Sequence, residues 1–161
     1  MAKGIPSLGI ELADTVAPLA IENGVLSYVR FVGAATARDL VAEGRQADLL
    51  LGNNVLAHVP DVNDFVGGFK ILLREGGVLT NEFPHLMCLI EQNQFDTIYQ
   101  EHYCYYSLLT AMAIYEKHGL TIFDVEELPT HGGSLRIYSR HTEDASKPVT
   151  QAVKASGRAH V

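Results

Sequence analysis

An α/β fold with helices on both faces of the sheet is predicted for this 161-residue chain, and three observations carry the prediction. Short branched apolar runs alternate with segments of helical spacing through the first half. Glycines fall where helices should stop, and a Pro-Gly-Gly loop joins two late strand-like segments. A 47% hydrophobic composition is enough for a real core at this length.

"IPSLGIELA" opens as a strand, and "DTVAPLAIENGV" follows with helical spacing and a glycine stop. "LSYVRFVG" predicts a second strand, and "AATARDLVAEG" a helix closed by Gly44. The near-continuous apolar run in "ADLLLGNNVLAHV" predicts a parallel strand buried on both faces. "PDVNDFVGGFKILLREGG" reads as a helix capped by Asp61 or Asn63, with Gly67 and Gly68 allowing close helix packing, and "VLTNEF" as the next strand. Beyond Pro84, "HLMCLIEQNQF" and "LLTAMAIYEKHG" are helical, the second ending at Gly119. "LTIFDVEEL" and "SLRIYSRH" then form an antiparallel pair across "PTHGG". A domain is expected over 1–141, with 142–161 a tail, a linker or the start of another helical region.

Charge and cysteine content narrow the class. Twelve basic residues against 19 acidic give a formal net charge of −7, and no basic run is present, which argues against nucleic acid or an anionic membrane as partner. Two cysteines do not make a disulfide framework, no signal-peptide layout is visible, and no apolar run approaches the ~18 residues of a membrane span. A cytoplasmic protein is expected.

"YQEHYCYY" (99–106) gathers four of the seven tyrosines, a carboxylate, an imidazole and a thiol. His102 is suited to general-base chemistry because imidazole titrates near neutral pH; Glu101 can orient it and Tyr99 can hydrogen-bond an oxyanion. The same residues also suit a packed helix start in which His102 satisfies a carbonyl. His58, in "NNVLAHVPD", follows the end of a predicted central strand, where open α/β sheets place ligand contacts. His131, in "HGGSLR", and His85, after Pro84, are candidate substrate contacts, with an exposed loop as the alternative for His131. His118, at a helix end, reads as a favourable C-terminal cation. No metal is expected: "EHYC" lacks the ligand spacing of a zinc site.

"GIELADTVA", "ADLLLGNNVLAHVPDVNDFV", "EFPHL", "FDTIYQEHYCYYS" and "DVEELPTHGGSLRIY", in that order, resemble the sugar C-methyltransferases of deoxysugar biosynthesis, which are class I S-adenosylmethionine-dependent methyltransferases. The resemblance runs from about Gly4 to about His141. It implies a Rossmann-like methyltransferase sheet, S-adenosylmethionine as cofactor and a nucleotide-linked keto-deoxysugar as substrate, methylated on carbon through an enolate. It also implies proton transfer at Tyr99, Glu101 and His102, and a cofactor pocket bordered by Glu11, Asn53 and Asn54; His58, from its place past a strand end, is a candidate to hold substrate or assist the base, with a loop histidine before the Pro60-Asp61 turn as the alternative. Glu11, at the end of its strand, would accept the ribose hydroxyls. The glycine-rich strand and turn that opens this fold is missing, so the chain is expected to be a central fragment whose sheet lacks its first strand. Unpaired edges would then favour self-association. The alternative is a non-catalytic α/β binding module that has lost the cofactor site.

Overall fold

The computed structural model describes residues 4–159; residues 1–3 and 160–161, the outer ends of the two expected regions, lie outside them. Six strands and six α-helices follow in the order β1 (Leu8–Glu11), α1 (Ala17–Glu22), β2 (Leu26–Val29), α2 (Ala34–Ala42), β3 (Ala47–Asn53), α3 (Val62–Leu72), β4 (Leu73–Pro84), α4 (Leu86–Glu91), α5 (Leu108–Lys117), β5 (Leu120–Leu128), β6 (Ser134–His141) and α6 (Gln151–Ala159). The predicted alternation is present through β4, and the predicted helix pair and strand pair follow as α4, α5 and β5, β6.

The strands form two separate sheets. β1 and β2 pair in parallel, while the other four take the order β3-β4-β6-β5, with β3 and β4 parallel and both contacts of β6 antiparallel. Neither β1 nor β3 has a second hydrogen-bonded neighbour among the described residues.

β3 corrects one expectation. Its apolar run predicts burial on both faces, yet Leu49 and Leu51 are 55% and 67% exposed. Alternation puts these two side chains on one face and Leu50 on the other, and only Leu50 is packed, against both core clusters. Composition marks a strand that can be buried; a neighbouring element must still cover it.

The larger core lies between α3, α5 and the four-stranded sheet and includes Phe65, Val66, Leu79, Phe83, Tyr115 and Ile137; a smaller cluster of Ala37, Leu40 and Leu72 supports β1 and β2. α2 and α3 approach closely at Gly68, where a Cβ would meet the Gly33 backbone at 2.8 Å, whereas a Cβ at Gly67 would make only an ordinary contact with His118 at 3.6 Å. Gly119 follows α5 with φ +71°, a left-handed conformation open to glycine at little steric cost. The segment after Thr142 also docks: Thr150 N–H donates to the Phe123 carbonyl, and Val153 is buried in the main core.

Asp61 caps α3, accepting from the N–H groups of Asn63 and Asp64 at 3.0 Å each. Asp61→Ala is expected to cost about 1 kcal/mol of stability, seen as a lower urea midpoint with an unchanged slope.

Candidate active site

Two clefts open beyond the carboxyl ends of the strands. The larger, about 530 Å³, is lined by His58, Gln94, Tyr99, His102, His131 and Gly132, among others; the second, about 310 Å³, by Glu11, Leu12, Phe31, Val32, Gly52 and neighbouring residues. Asn54 and His58 line both. A group bound in one cleft therefore meets a group bound in the other at these two side chains.

His58 ends a 3-10 turn (Leu56–His58) directly after β3. Its Nδ1–H donates to the Glu101 carbonyl at 2.9 Å, which leaves Nε2 as the ring's acceptor in the neutral form. The His102 ring lies 4.8 Å from it, centroid to centroid. Tyr103 N–H donates to the Ala57 carbonyl at 2.8 Å, tying the aromatic stretch to the same turn. Two histidines 44 positions apart in sequence are thus set side by side by backbone hydrogen bonds.

His102 is further framed by tyrosines. Tyr99 lies over its ring with a centroid distance of 4.2 Å and shares a 3.0 Å hydrogen bond between its hydroxyl and Nε2, while Tyr105 meets the ring edge-on. Burial pushes the His102 pKa down and His58 adds to the effect; the Thr97 carbonyl and Glu101 oppose them. His102 is consequently neutral at pH 7, the form a base requires.

Other candidates occupy varied positions. Glu101 enters through its main-chain carbonyl, and its residue is exposed outside the cleft lining. His131 lines the larger cleft, where its Nε2 accepts from Asn54 Nδ2 at 3.0 Å; both residues have left-handed backbones, with φ +53° and +54°. His85 is buried at the start of α4 with Nδ1 3.6 Å from Cys88 Sγ, and it does not reach the lining. Asn53 is exposed at the end of β3 and lines neither cleft. Glu11 lines the second cleft and accepts from Ala13 N–H at 2.9 Å. His118 hydrogen-bonds Asn63 Oδ1 at 3.0 Å, and burial and the Lys117 charge push its pKa down, which works against the expected helix-end cation. Among the described residues no group of three metal-ligating side chains converges.

Sequence reasoning missed Gln94, whose Nε2–H donates to the Gly132 carbonyl at 2.7 Å, and Glu82, which accepts from Thr130 and Arg136 at 2.8 Å each. A carboxylate inside the otherwise strand-like "VLTNEF" was the one available signal for Glu82.

The second cleft suits the adenosine end of S-adenosylmethionine. Glu11 presents a carboxylate at the end of β1, and Phe31 and Val32 supply apolar wall. A glycine-rich strand-to-helix turn, which would cradle the amino-acid end, is absent among the described residues, and no described strand pairs with both β1 and β3.

This architecture is the fold of the class I S-adenosylmethionine-dependent methyltransferases. Solved structures that share it include a methyltransferase from Thermotoga maritima described as a possible histamine N-methyltransferase (TM-score 0.61, 17% identity, 83% of this chain and 72% of that one). The N-methyltransferase NodS from Bradyrhizobium japonicum in complex with S-adenosylhomocysteine gives a TM-score of 0.59 at 13% identity, over 83% and 65% of the two chains. In sequence, the chain is similar to the C-methyltransferase NovU of Streptomyces niveus, 33% identical over 132 residues, which is 82% of this chain and 31% of NovU. The chain thus spans about a third of the length of that curated relative. No protein-family profile matches it.

Proposed function

We propose that the protein to which this chain belongs transfers a methyl group from S-adenosylmethionine to a carbon atom of a nucleotide-linked keto-deoxysugar. The observation that carries this reading is the Tyr99–His102–His58 cluster of adjoining rings in a cleft that meets the Glu11 cleft at Asn54 and His58. The 33% identity to a C-methyltransferase supports it independently.

S-adenosylmethionine, when bound, supplies an electrophilic methyl group. The chain's own residues have to make a carbon nucleophilic. Neutral His102 takes the proton alpha to the ketone, while the Tyr99 hydroxyl turns from His102 Nε2 to the developing enolate oxygen. This transfers hydrogen-bonding capacity to the atom where charge grows. His58, held by the Glu101 carbonyl, stands beside the imidazolium that forms and takes part in passing its proton to solvent. His131 and Asn54 hold the sugar's polar groups.

The test is methyl transfer from labelled S-adenosylmethionine to a nucleotide-linked ketosugar, using a protein that supplies the glycine-rich strand and turn together with this chain. Product labelled on carbon supports the reading; transfer to oxygen or nitrogen, or none, rejects it.

The open sheet favours a second reading for the 161-residue chain alone, a non-catalytic binding module. Calorimetry separates the two: the isolated chain is expected to bind S-adenosylhomocysteine at least tenfold more weakly than a protein that supplies the glycine-rich strand and turn together with this chain. The free edges of β1 and β3 also favour self-association of the isolated chain, through added strand pairing.

A further inference from the structure

Glu82 is the only buried acidic residue among the described residues, at 5% exposure, and it bonds to Thr130, next to the cleft-lining His131, and to the backbone of Asn54, which lines the larger cleft itself. Its Oε1 accepts from the Thr130 hydroxyl at 2.8 Å, and its Oε2 from Arg136 Nη2 at 2.8 Å. Its carbonyl accepts from Asn54 N–H, also at 2.8 Å. Thr130 starts the turn that carries His131, and Asn54 donates to His131 at 3.0 Å. One residue of β4 therefore holds both partners of the Asn54–His131 pair, each kept in a left-handed backbone conformation.

An ion pair with one buried member is a poor device for stability alone, because desolvation offsets most of the attraction. Burial pushes the Glu82 carboxyl up, but hydrogen bonds from Arg136 and Thr130, with the charge of Arg136, outweigh it and keep the group below the usual carboxylate range. Glu82 therefore remains an acceptor, and the Thr130 hydroxyl has a fixed direction in which to point. The opposite side of the turn is fixed as well: Gln94 holds the Gly132 carbonyl, and His85 N–H donates to the Gly133 carbonyl at 3.0 Å.

We propose that Glu82 is a positioning residue: through Thr130 and the Asn54 backbone it sets the separation of His131 and Asn54, and with it the fit of the cleft to the hydroxyl and carbonyl oxygens of its substrate. The identity of that substrate rests on the keto-sugar reading above; the positioning role does not.

The decisive variant is Thr130→Val, which keeps the β-branched shape at an exposed site and removes only the hydroxyl, with Thr130→Ser as the conservative restoration. In the 161-residue chain, NMR of the His131 ring and the Asn54 side-chain amide is expected to show both resonances shifted or broadened by Thr130→Val and returned by Thr130→Ser. In the methyl-transferring protein the same change is expected to raise KM about five- to tenfold, the effect of one lost hydrogen bond, with kcat within about twofold. Unchanged His131 and Asn54 resonances in Thr130→Val overturn the proposal, as does a loss confined to kcat. Perturbed resonances in a protein that transfers no methyl group to a ketosugar uphold the positioning role and reject the substrate reading alone.

Discussion

Replacing His102 with asparagine is expected to lower methyl transfer by about 10²–10⁴-fold, the usual contribution of a positioned general base. Asparagine preserves polarity and approximate size but cannot accept the substrate proton. Tyr99→Phe removes the 3.0 Å hydrogen bond to His102 Nε2 and leaves the stacked ring, so a smaller loss is expected, about 10-fold, as for one oxyanion hydrogen bond at the weak end of its range. Single-turnover rates with labelled cofactor check both, and near-normal rates in both would remove the proton-transfer assignment. The pH dependence has a definite sign. Burial and His58 lower the His102 pKa below its ordinary 6.5, so the basic form survives into mildly acidic solution. The acidic limb of kcat/KM should fall below pH 6.5, and it should disappear with His102→Asn.

The second large effect is on stability. Asn81 is fully buried on β4, where its Oδ1 accepts from the Tyr115 hydroxyl at 2.7 Å and its Nδ2–H donates to the Gly52 carbonyl at 3.1 Å. Asn81→Ala strips both partners in the middle of the core. Each buried group left unpaired costs about 1–3 kcal/mol, so a loss of about 2–5 kcal/mol is expected from urea denaturation. Tyr115→Phe removes only one of the two bonds and should cost less than half as much. Equal losses in the two variants would mean that the amide's contact with Gly52 contributes nothing.

Much of the fold can be read from local pattern. The change from helical spacing to branched runs at Leu26, Ala47 and Leu120 marks real strands, and Asp61, Gly44 and Gly119 mark real helix ends. What remained hidden depends on neighbours. Leu49 and Leu51 read as core because nothing in a run of leucines tells which face will be covered. In the site, His58 and His102 stand out as imidazoles beside strand ends or among aromatics, whereas their stacking depends on a hydrogen bond from Tyr103 to Ala57, 46 positions away. Glu82 stayed out of view for the same reason: both side-chain partners, Thr130 and Arg136, arrive from the other side of an antiparallel pairing about 50 residues later. His85 stands at a suggestive sequence position, and its Nδ1 lies 3.6 Å from Cys88 Sγ, a contact that local pattern does not show.

The small core beneath β1 and β2 has a consequence for how the two clefts respond to heat and ligands. Ala37, Leu40 and Leu72 are the buried members of that cluster, against eighteen residues in the main one, so the Glu11 wall belongs to a unit with far less to lose on opening. Amide protons of β1 and β2 can exchange through local opening while those of β4 and β6 wait for global unfolding. The Glu11 wall and the block that carries Tyr99, His102 and His58 are therefore expected to differ in opening free energy, which native-state hydrogen exchange of the two sheets would read.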